Sequence, residues 1–125
     1  MITRDMKYHT IPMISYEKED VEILNVRTLL SLRVAGTITC LSYETAGDES
    51  FRLMQSKGIP VVFFDRVIDN GKYSFVTTDD QKTAFNATEY AINQGYRKLA
   101  HFAGAQNLNV ARARLKGFLE AADKY

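Results

Sequence analysis

Residues 58–67, GIPVVFFDRV, place a glycine before a short apolar run and an adjacent acid and base after it. An apolar run of this length between such boundaries is typical of a strand that is buried on both faces. In an open parallel sheet, ligands bind beyond the carboxyl ends of the strands. Asp65, the first residue past the predicted strand 59–64, is therefore a candidate ligand-binding residue. A local role in a turn is the alternative, because aspartate often forms hydrogen bonds with its own backbone there.

Strand and helix patterns alternate along the rest of the chain, and this alternation predicts an α/β fold with a parallel sheet covered by helices on both faces. Pro12 cannot donate to a strand ladder, which predicts that the first strand lies at a sheet edge. The predicted strands are 9–15, 34–42, 59–64, 73–78 and 98–104, and the predicted helices are 17–33, 48–57, 79–94 and 109–125.

Composition limits the classes of protein that are possible. The 125 residues fit one domain, and 46% hydrophobic and 25% charged residues are ordinary for a globular protein. A net charge of +1 without a basic block argues against a nucleic-acid surface in this chain. The longest apolar runs fall well below the roughly 20 residues that a membrane helix needs. The charged N-terminal residues do not resemble a signal peptide, so we expect a cytoplasmic location.

The residues of common metal and redox sites are scarce. Cys40 is the single cysteine, and the two histidines, His9 and His101, are far apart in sequence. The sequence therefore predicts neither a disulfide within the chain nor a metal site. There is also no glycine-rich phosphate loop with a lysine and no nucleophile elbow, so we expect no cofactor and no enzymatic activity.

Polar residues follow several of the predicted strands. Ser42 ends the second strand, Asp79 follows the fourth, and the amides of the stretch that includes Asn109 follow the fifth. Because the carboxyl ends of parallel strands meet at one edge of a sheet, these groups are expected to outline a polar site. Asp79 is equally suited to capping the helix that begins beside it.

Two arginines lie on the last predicted helix. Arg112 and Arg114 are two residues apart, so they cannot face the same way. An arginine near a pocket offers a planar set of donors that suits carboxylates or paired sugar hydroxyls. Solvation of an exposed side chain is the alternative for either residue.

Three stretches together resemble the effector-binding core of the lactose-repressor family: GIPVVFFDR, VTTDDQKTAFNATEYAINQGYRKLAHFAG and ARARLKGFLEA. Their order and spacing both match, and the similarity runs from about Ile11 to the end of the chain. The resemblance implies a periplasmic-binding-protein-like fold. It also implies part of a repressor-type bacterial transcription regulator that binds a sugar or related metabolite.

The resemblance also assigns roles to individual residues. Asp65 matches the family's pocket acid, and Arg114, three residues before Gly117, matches the arginine that binds effector hydroxyls or carboxylates. Asp79 matches the acid of the family's Asp-Asn pair, while Asp80 stands where asparagine is usual.

A second departure from the family lies at Val110, where serine or threonine is common, so that polar contact is either missing or replaced by one from Asn109. Ser42 completes the set of predicted ligand-binding residues.

The resemblance implies that residues 1–125 are a partial N-terminal lobe of the effector-binding domain. The helix-turn-helix, the first strand and the second lobe would lie outside the chain, so operator DNA would be bound only through another segment. Unpaired strand edges and uncovered apolar side chains predict a homodimer or larger homo-oligomer, with residues 1–35 at its interface.

Two other functions fit parts of the pattern. One lobe of a periplasmic sugar-binding transport protein would have the same fold and would need an export signal. A phosphoacceptor receiver domain would also place an aspartate after an apolar strand. Here, however, the acidic pair comes after Asp65 and no lysine follows HFAG at 101–104, which argues against the receiver.

Overall fold

The computed structural model describes residues 5–125. Within them the main elements are α1 (Glu19–Ser31), β1 (Thr37–Thr39), α2 (Glu49–Ser56), β2 (Val61–Phe64), β3 (Ser74–Val76), α3 (Asp80–Asn93) and α4 (Asn109–Lys124). The predicted helices 17–33, 48–57, 79–94 and 109–125 are thus confirmed to within about two residues. Gly58, with φ of +74°, follows the end of α2 in the left-handed conformation that glycine adopts readily.

The three strands form one parallel sheet in the order β1-β2-β3. Val62 in the central strand lies opposite Ile38 of β1 and Ser74 of β3. The α/β class and the parallel sheet predicted from the sequence are confirmed. The carboxyl ends of all three strands lie at the same edge, which fixes where a ligand site can form.

One face of the sheet carries the hydrophobic core. Alternation along β2 directs Val61 and Phe63 inward, and both side chains are buried. The Phe63 ring contacts Phe51 of α2 and Tyr73 edge-on, with ring centroids 5.0 Å apart in each pair. Val26 of α1 belongs to the same core cluster, so both helices cover this face.

The opposite face of the sheet is exposed, which corrects the prediction that helices cover both faces. Ile38 is 77% exposed and Val76 68% exposed, and Phe64 beside them is also open to solvent. The physical reason lies in where the last two helices pack. Within residues 5–125, α3 and α4 pack on each other and not on the sheet.

Helices α3 and α4 approach each other closely at Gly117. A Cβ atom at this position would overlap the backbone carbonyl oxygen of Gln81 and would lie 2.9 Å from the backbone nitrogen of Phe85. Glycine is therefore required for this helix crossing. We call residues 80–124 the helical unit, and residues 19–76, with the sheet, α1 and α2, the sheet unit.

Two predicted strands, 9–15 and 98–104, are wrong for the residues that the structure describes, since neither pairs with another strand. Residues 9–14 are exposed, and Pro12 lies among them. Segment 98–104 keeps a strand-like alternation: the ring of His101 stacks on Phe118, whereas Phe102 is 99% exposed. Both patterns have the period of a strand, but a ladder also needs backbone hydrogen bonds to a neighbouring strand, and within residues 5–125 neither segment forms them.

Candidate functional site

A cavity of about 320 Å³ lies between the sheet unit and the helical unit. Its walls come from the loops that follow β1 and β2, within 41–48 and 66–70, and from the start of α4, at 107–109. The cavity is thus at the carboxyl ends of the strands, where a parallel sheet favours a ligand. Its volume falls within the range of pockets that bind small molecules.

Arg66 supplies the cation of the cavity and is held by Glu17. The Nη1 atom of Arg66 donates to Oε2 of Glu17 at 2.6 Å, and the same carboxylate oxygen accepts from the backbone nitrogen of Tyr43 at 2.7 Å. The bond from Arg66, followed by the bond from Tyr43, lowers the pKa of Glu17. The guanidinium is therefore fixed at the cavity wall by a carboxylate from the chain itself.

The loop after β1 is bound to α1 by two more carboxylates. Glu22 accepts from the backbone nitrogen of Ser42 and from the hydroxyl of Thr45, both at 2.8 Å, and Glu19 accepts from the backbone nitrogen of Ala46 at 2.8 Å. Burial raises the pKa of Glu22, which is only 5% exposed. These contacts fix the shape of one cavity wall.

Sequence reasoning missed this role of the acids. The sequence signal that could have found it is the spacing of Glu17, Glu19 and Glu22 around the start of one helix.

Ser42 and Asn109, two of the predicted ligand-binding residues, line the cavity. Ser42 is buried, and its hydroxyl lies 2.7 Å from the hydroxyl of Thr45. The Asn109 amide donates to the carbonyl oxygen of Asp65 at 3.0 Å and accepts from the backbone nitrogen of Val67 at 3.1 Å. Both side chains therefore have partners within the protein.

Asp65 directly follows β2 and has a backbone φ of +58°, a left-handed conformation that aspartate adopts more readily than most residues. Its backbone nitrogen donates to Val76 at 3.1 Å, and its Oδ2 lies 3.9 Å from the sulfur of Cys40. Its carbonyl joins it to the cavity rim through Asn109, although the residue is not among those that line the cavity.

Arg114 lies in the helical unit, and Asp79 lies immediately before it. Asp79 caps α3 by accepting from the backbone nitrogen of Lys82 at 3.0 Å, as its alternative interpretation predicted. The Nε atom of Arg114 donates to Oδ1 of Asp80 at 2.7 Å. Among the described residues, no hydrogen bond or ion pair joins Arg114 to Asp65.

Over the described range 5–125, no group of three His, Cys, Asp or Glu side chains is placed to hold a metal ion. No helix found in that range is long and apolar enough to cross a lipid bilayer.

A family model described as periplasmic binding proteins and sugar binding domain of LacI family matches residues 2–125. The chain belongs to this family. Membership confirms the resemblance to the lactose repressors seen in the sequence motifs. The parallel sheet of the sheet unit, and the position of the cavity at the carboxyl ends of its strands, are what is expected of a family member.

The curated relatives that the chain matches are regulators. The fructose operon regulatory protein of Vibrio cholerae is 27% identical over 119 residues, which is 95% of this chain and 36% of that protein. The transcriptional regulator MalR of Streptococcus pneumoniae is 27% identical over 94% of this chain and 35% of that protein. The chain thus spans about a third of the length of these relatives.

Solved structures share the fold. The Cra regulator of Pseudomonas putida, in complex with fructose 1-phosphate, has a TM-score of 0.89 at 25% identity and covers 98% of this chain and 45% of its own. A putative ribose operon repressor from Burkholderia thailandensis has a TM-score of 0.88 at 27% identity and covers 97% of this chain and 45% of its own. The periplasmic-binding-protein-like fold predicted from the sequence is thereby confirmed.

Proposed function

We propose that this chain is part of a LacI-family transcription regulator and that its cavity binds a sugar or related metabolite as effector. The observation that supports this most is the position of the cavity, at the carboxyl ends of the strands and between two units of a family member. The named relatives regulate a fructose operon or are transcriptional regulators, which favours this function over a periplasmic transport protein.

The chemistry of the cavity wall suits a ligand with several hydroxyl groups. Asp48 offers acceptors, Arg66 offers donors, and the amides of Asn70 and Asn107 offer both. Apolar side chains such as Leu41 complete the wall and can cover the carbon face of a sugar ring. The proposed role is binding without chemistry, and it needs neither a cofactor nor a metal.

In the proposed regulator, operator DNA is bound by a segment outside these 125 residues, because their net charge is only +1 and their sequence has no long basic block to contact phosphates. The effector changes DNA binding by favouring one arrangement of the effector-binding domain over another. The proposed location is cytoplasmic. The proposed assembly is a homodimer or larger homo-oligomer, supported by the exposed apolar face around Ile38 and Val76.

Amide chemical shifts test the proposal on the chain as it stands. We expect a matching sugar or sugar phosphate to shift the resonances of residues within 41–48, 66–70 and 107–109. A suitable panel contains fructose 1-phosphate, ribose and maltose. A sugar in this cavity keeps much of its surface in water, whereas tight sites bury most of their ligand, so we expect millimolar affinity.

The test variant is Asn70→Ala, which removes an amide from the cavity wall. Its matched control is Asn86→Ala on α3, which lies outside the cavity. Only the first should weaken the shifts. Shifts confined to other surfaces, or none with any sugar at millimolar concentration, would contradict the proposed site.

A further inference from the structure

The two units meet at the cavity through the amide side chains of two asparagines. Asn109 bonds to both Asp65 and Val67, at 3.0 and 3.1 Å. Asn107 donates to the carbonyl oxygen of Tyr43 at 2.9 Å. Both asparagines stand at the start of α4, and their backbone partners stand in the loops of the sheet unit.

The bonding at Asn109 depends on the chemistry of an amide. Its NH₂ group satisfies a carbonyl oxygen and its own oxygen satisfies a backbone N–H, two residues apart on one rim. A carboxylate in the same place offers acceptors only, and an alanine offers neither group. An amide at position 109 is therefore specifically suited to hold this rim.

A second side chain keeps Asn107 in place. Nη1 of Arg112 donates to the carbonyl oxygens of Gln106 and Asn107, at 2.9 and 2.8 Å. The guanidinium thus holds the segment before α4 in the shape that aims the Asn107 amide at Tyr43. Arg112, for which solvation was one alternative, has a structural partner in this loop.

Close backbone approach adds little to the orientation of the units. Within the described residues, no Cα atom of α3 or α4 lies within 8 Å of a Cα atom in the sheet, α1 or α2. The ion pairs Asp80–Arg114 and Glu89–Lys124 both lie inside the helical unit. The connection through residues 77–79 is covalent but short, so it limits the separation of the units more than their relative rotation.

We propose that Asn109 and Asn107 form a latch that positions the helical wall of the cavity against the sheet wall. The latch sets the width of the cavity, and ligand binding acts on the orientation of the two units through it. This regulatory role rests on the proposed function of the cavity as an effector site. The latch itself exists without ligand, so it can be tested separately.

Amide hydrogen exchange of the ligand-free chain tests the latch. Asn109→Ala removes the acceptor of the Val67 N–H, and we expect exchange at Val67 to rise by about tenfold, the effect of losing one or two hydrogen bonds. Asn109→Asp keeps that acceptor and loses the donor to Asp65, so Val67 should remain largely protected. Lys116→Ala, on the exposed side of α4, is the matched control and should change neither.

Residual dipolar couplings measure the orientation of the units. In the wild type, one alignment tensor should fit both units. In the double variant Asn107→Ala, Asn109→Ala the two units should need different tensors, while the couplings within each unit still fit its own structure. The latter condition separates loss of the latch from unfolding.

A single tensor in the double variant, or exchange at Val67 within twofold of the wild type in Asn109→Ala, would overturn the latch. If either alanine variant fails to fold, Asn109→Ser is measured instead; its hydroxyl can serve Asp65 or Val67, and intermediate protection is expected. Failure of every sugar to bind, with the latch intact in these measurements, would refute the proposed function alone.

Discussion

Asp80 and Arg114 form an ion pair across the two helices of the helical unit, with 2.7 Å between Oδ1 and Nε. Asp80 is 7% exposed, whereas about half of the Arg114 side chain is open to solvent. The pair uses Nε and leaves the remaining guanidinium N–H groups without a hydrogen bond among the described residues. Asp80, which stands where the family usually has asparagine, therefore orients the arginine that the resemblance assigns to effector binding.

Arg114 is not among the residues that line the cavity of this chain, so replacing it tests the role in effector binding that the resemblance assigns to it. In a full-length regulator, Arg114→Ala should weaken effector binding by about 1.5–3 kcal/mol, the size of a hydrogen bond to a charged group. DNA binding without effector should be little changed. Isothermal titration calorimetry measures the first quantity and an operator-binding assay the second.

Two variants control for loss of the ion pair itself. Arg114→Lys keeps a charge near Asp80 and should fold normally, but it should bind effector less well than the wild type because it lacks the planar fork. Asp80→Asn keeps an acceptor for Nε. Effector affinity that is the same in Arg114→Ala and wild type would remove Arg114 from the site.

Gly117→Ala tests the close approach of α3 and α4. An alanine in a helix is ordinarily favoured over glycine by about 1 kcal/mol. Here its Cβ would overlap the Gln81 backbone, so we expect a net loss of about 1–3 kcal/mol in the free energy of unfolding of the helical unit. Urea denaturation followed by helical circular dichroism measures it. A stability equal to or above that of the wild type would mean that the helices do not cross here.

The two aromatic residues Phe63 and Phe102 provide a matched pair for the core. Phe63 is fully buried between two rings, and its change to alanine should cost about 3–5 kcal/mol. Phe102 is exposed, and its change to alanine should alter stability by no more than about 0.5 kcal/mol. Urea midpoints of the two variants provide the comparison. Equal losses in both would contradict the observed core.

The opposite pKa shifts of Glu22 and Glu17 predict opposite effects of pH on stability. Burial raises the pKa of Glu22, so the folded protein retains its proton at a pH where the unfolded chain has lost it. Its contribution is full below the unfolded pKa and is lost as pH rises through the folded pKa. Arg66 lowers the pKa of Glu17, so that contribution is present above the unfolded pKa and is lost as pH falls through the folded value.

Urea midpoints across acidic and neutral pH measure these contributions. Glu22→Gln should remove the part of the stability that grows as pH falls, and Glu17→Gln should remove the part that grows as pH rises. Identical pH profiles for the two variants would contradict the assignment of either carboxyl.

The exposed apolar face of the sheet predicts self-association. We expect a homodimer or larger homo-oligomer, with residues 1–35 and the face that includes Ile38 at the interface. Light scattering over a concentration series measures the mass, and Ile38→Lys should lower it while Leu119→Lys on α4 should not. A monomeric mass at every concentration would contradict this prediction.

Local features of this fold were predictable because they depend on neighbouring residues. The helix bounds, the cap at Asp79 and the end of α2 at Gly58 all follow from short-range patterns. The strand at 59–64 was predictable for the same reason, since its apolar run has clear boundaries. Ser42 was expected at a strand end and lines the cavity.

Features that depend on distant partners could not be read from the pattern. Segments 9–15 and 98–104 have strand-like sequences, but strand formation depends on a neighbouring strand that the period does not specify. The bonds from Glu22 to the loop after β1 join residues at least 20 positions apart, so the spacing of the acids near the start of α1 does not by itself identify their partners. The partner of Arg114 was missed because helix α3 was expected on the sheet rather than against α4.

The separate packing of the sheet unit and the helical unit has a consequence for cooperativity. The two units are joined by a short connection and by a few hydrogen bonds from asparagine side chains. They can therefore unfold in separate transitions, since each has its own buried contacts. Calorimetric and van't Hoff enthalpies of unfolding should then differ, because their equality holds only for a single all-or-none transition. Replacing Phe63 should lower the melting temperature of the sheet unit. It should leave the melting temperature of the helical unit, which depends on Gly117, nearly unchanged.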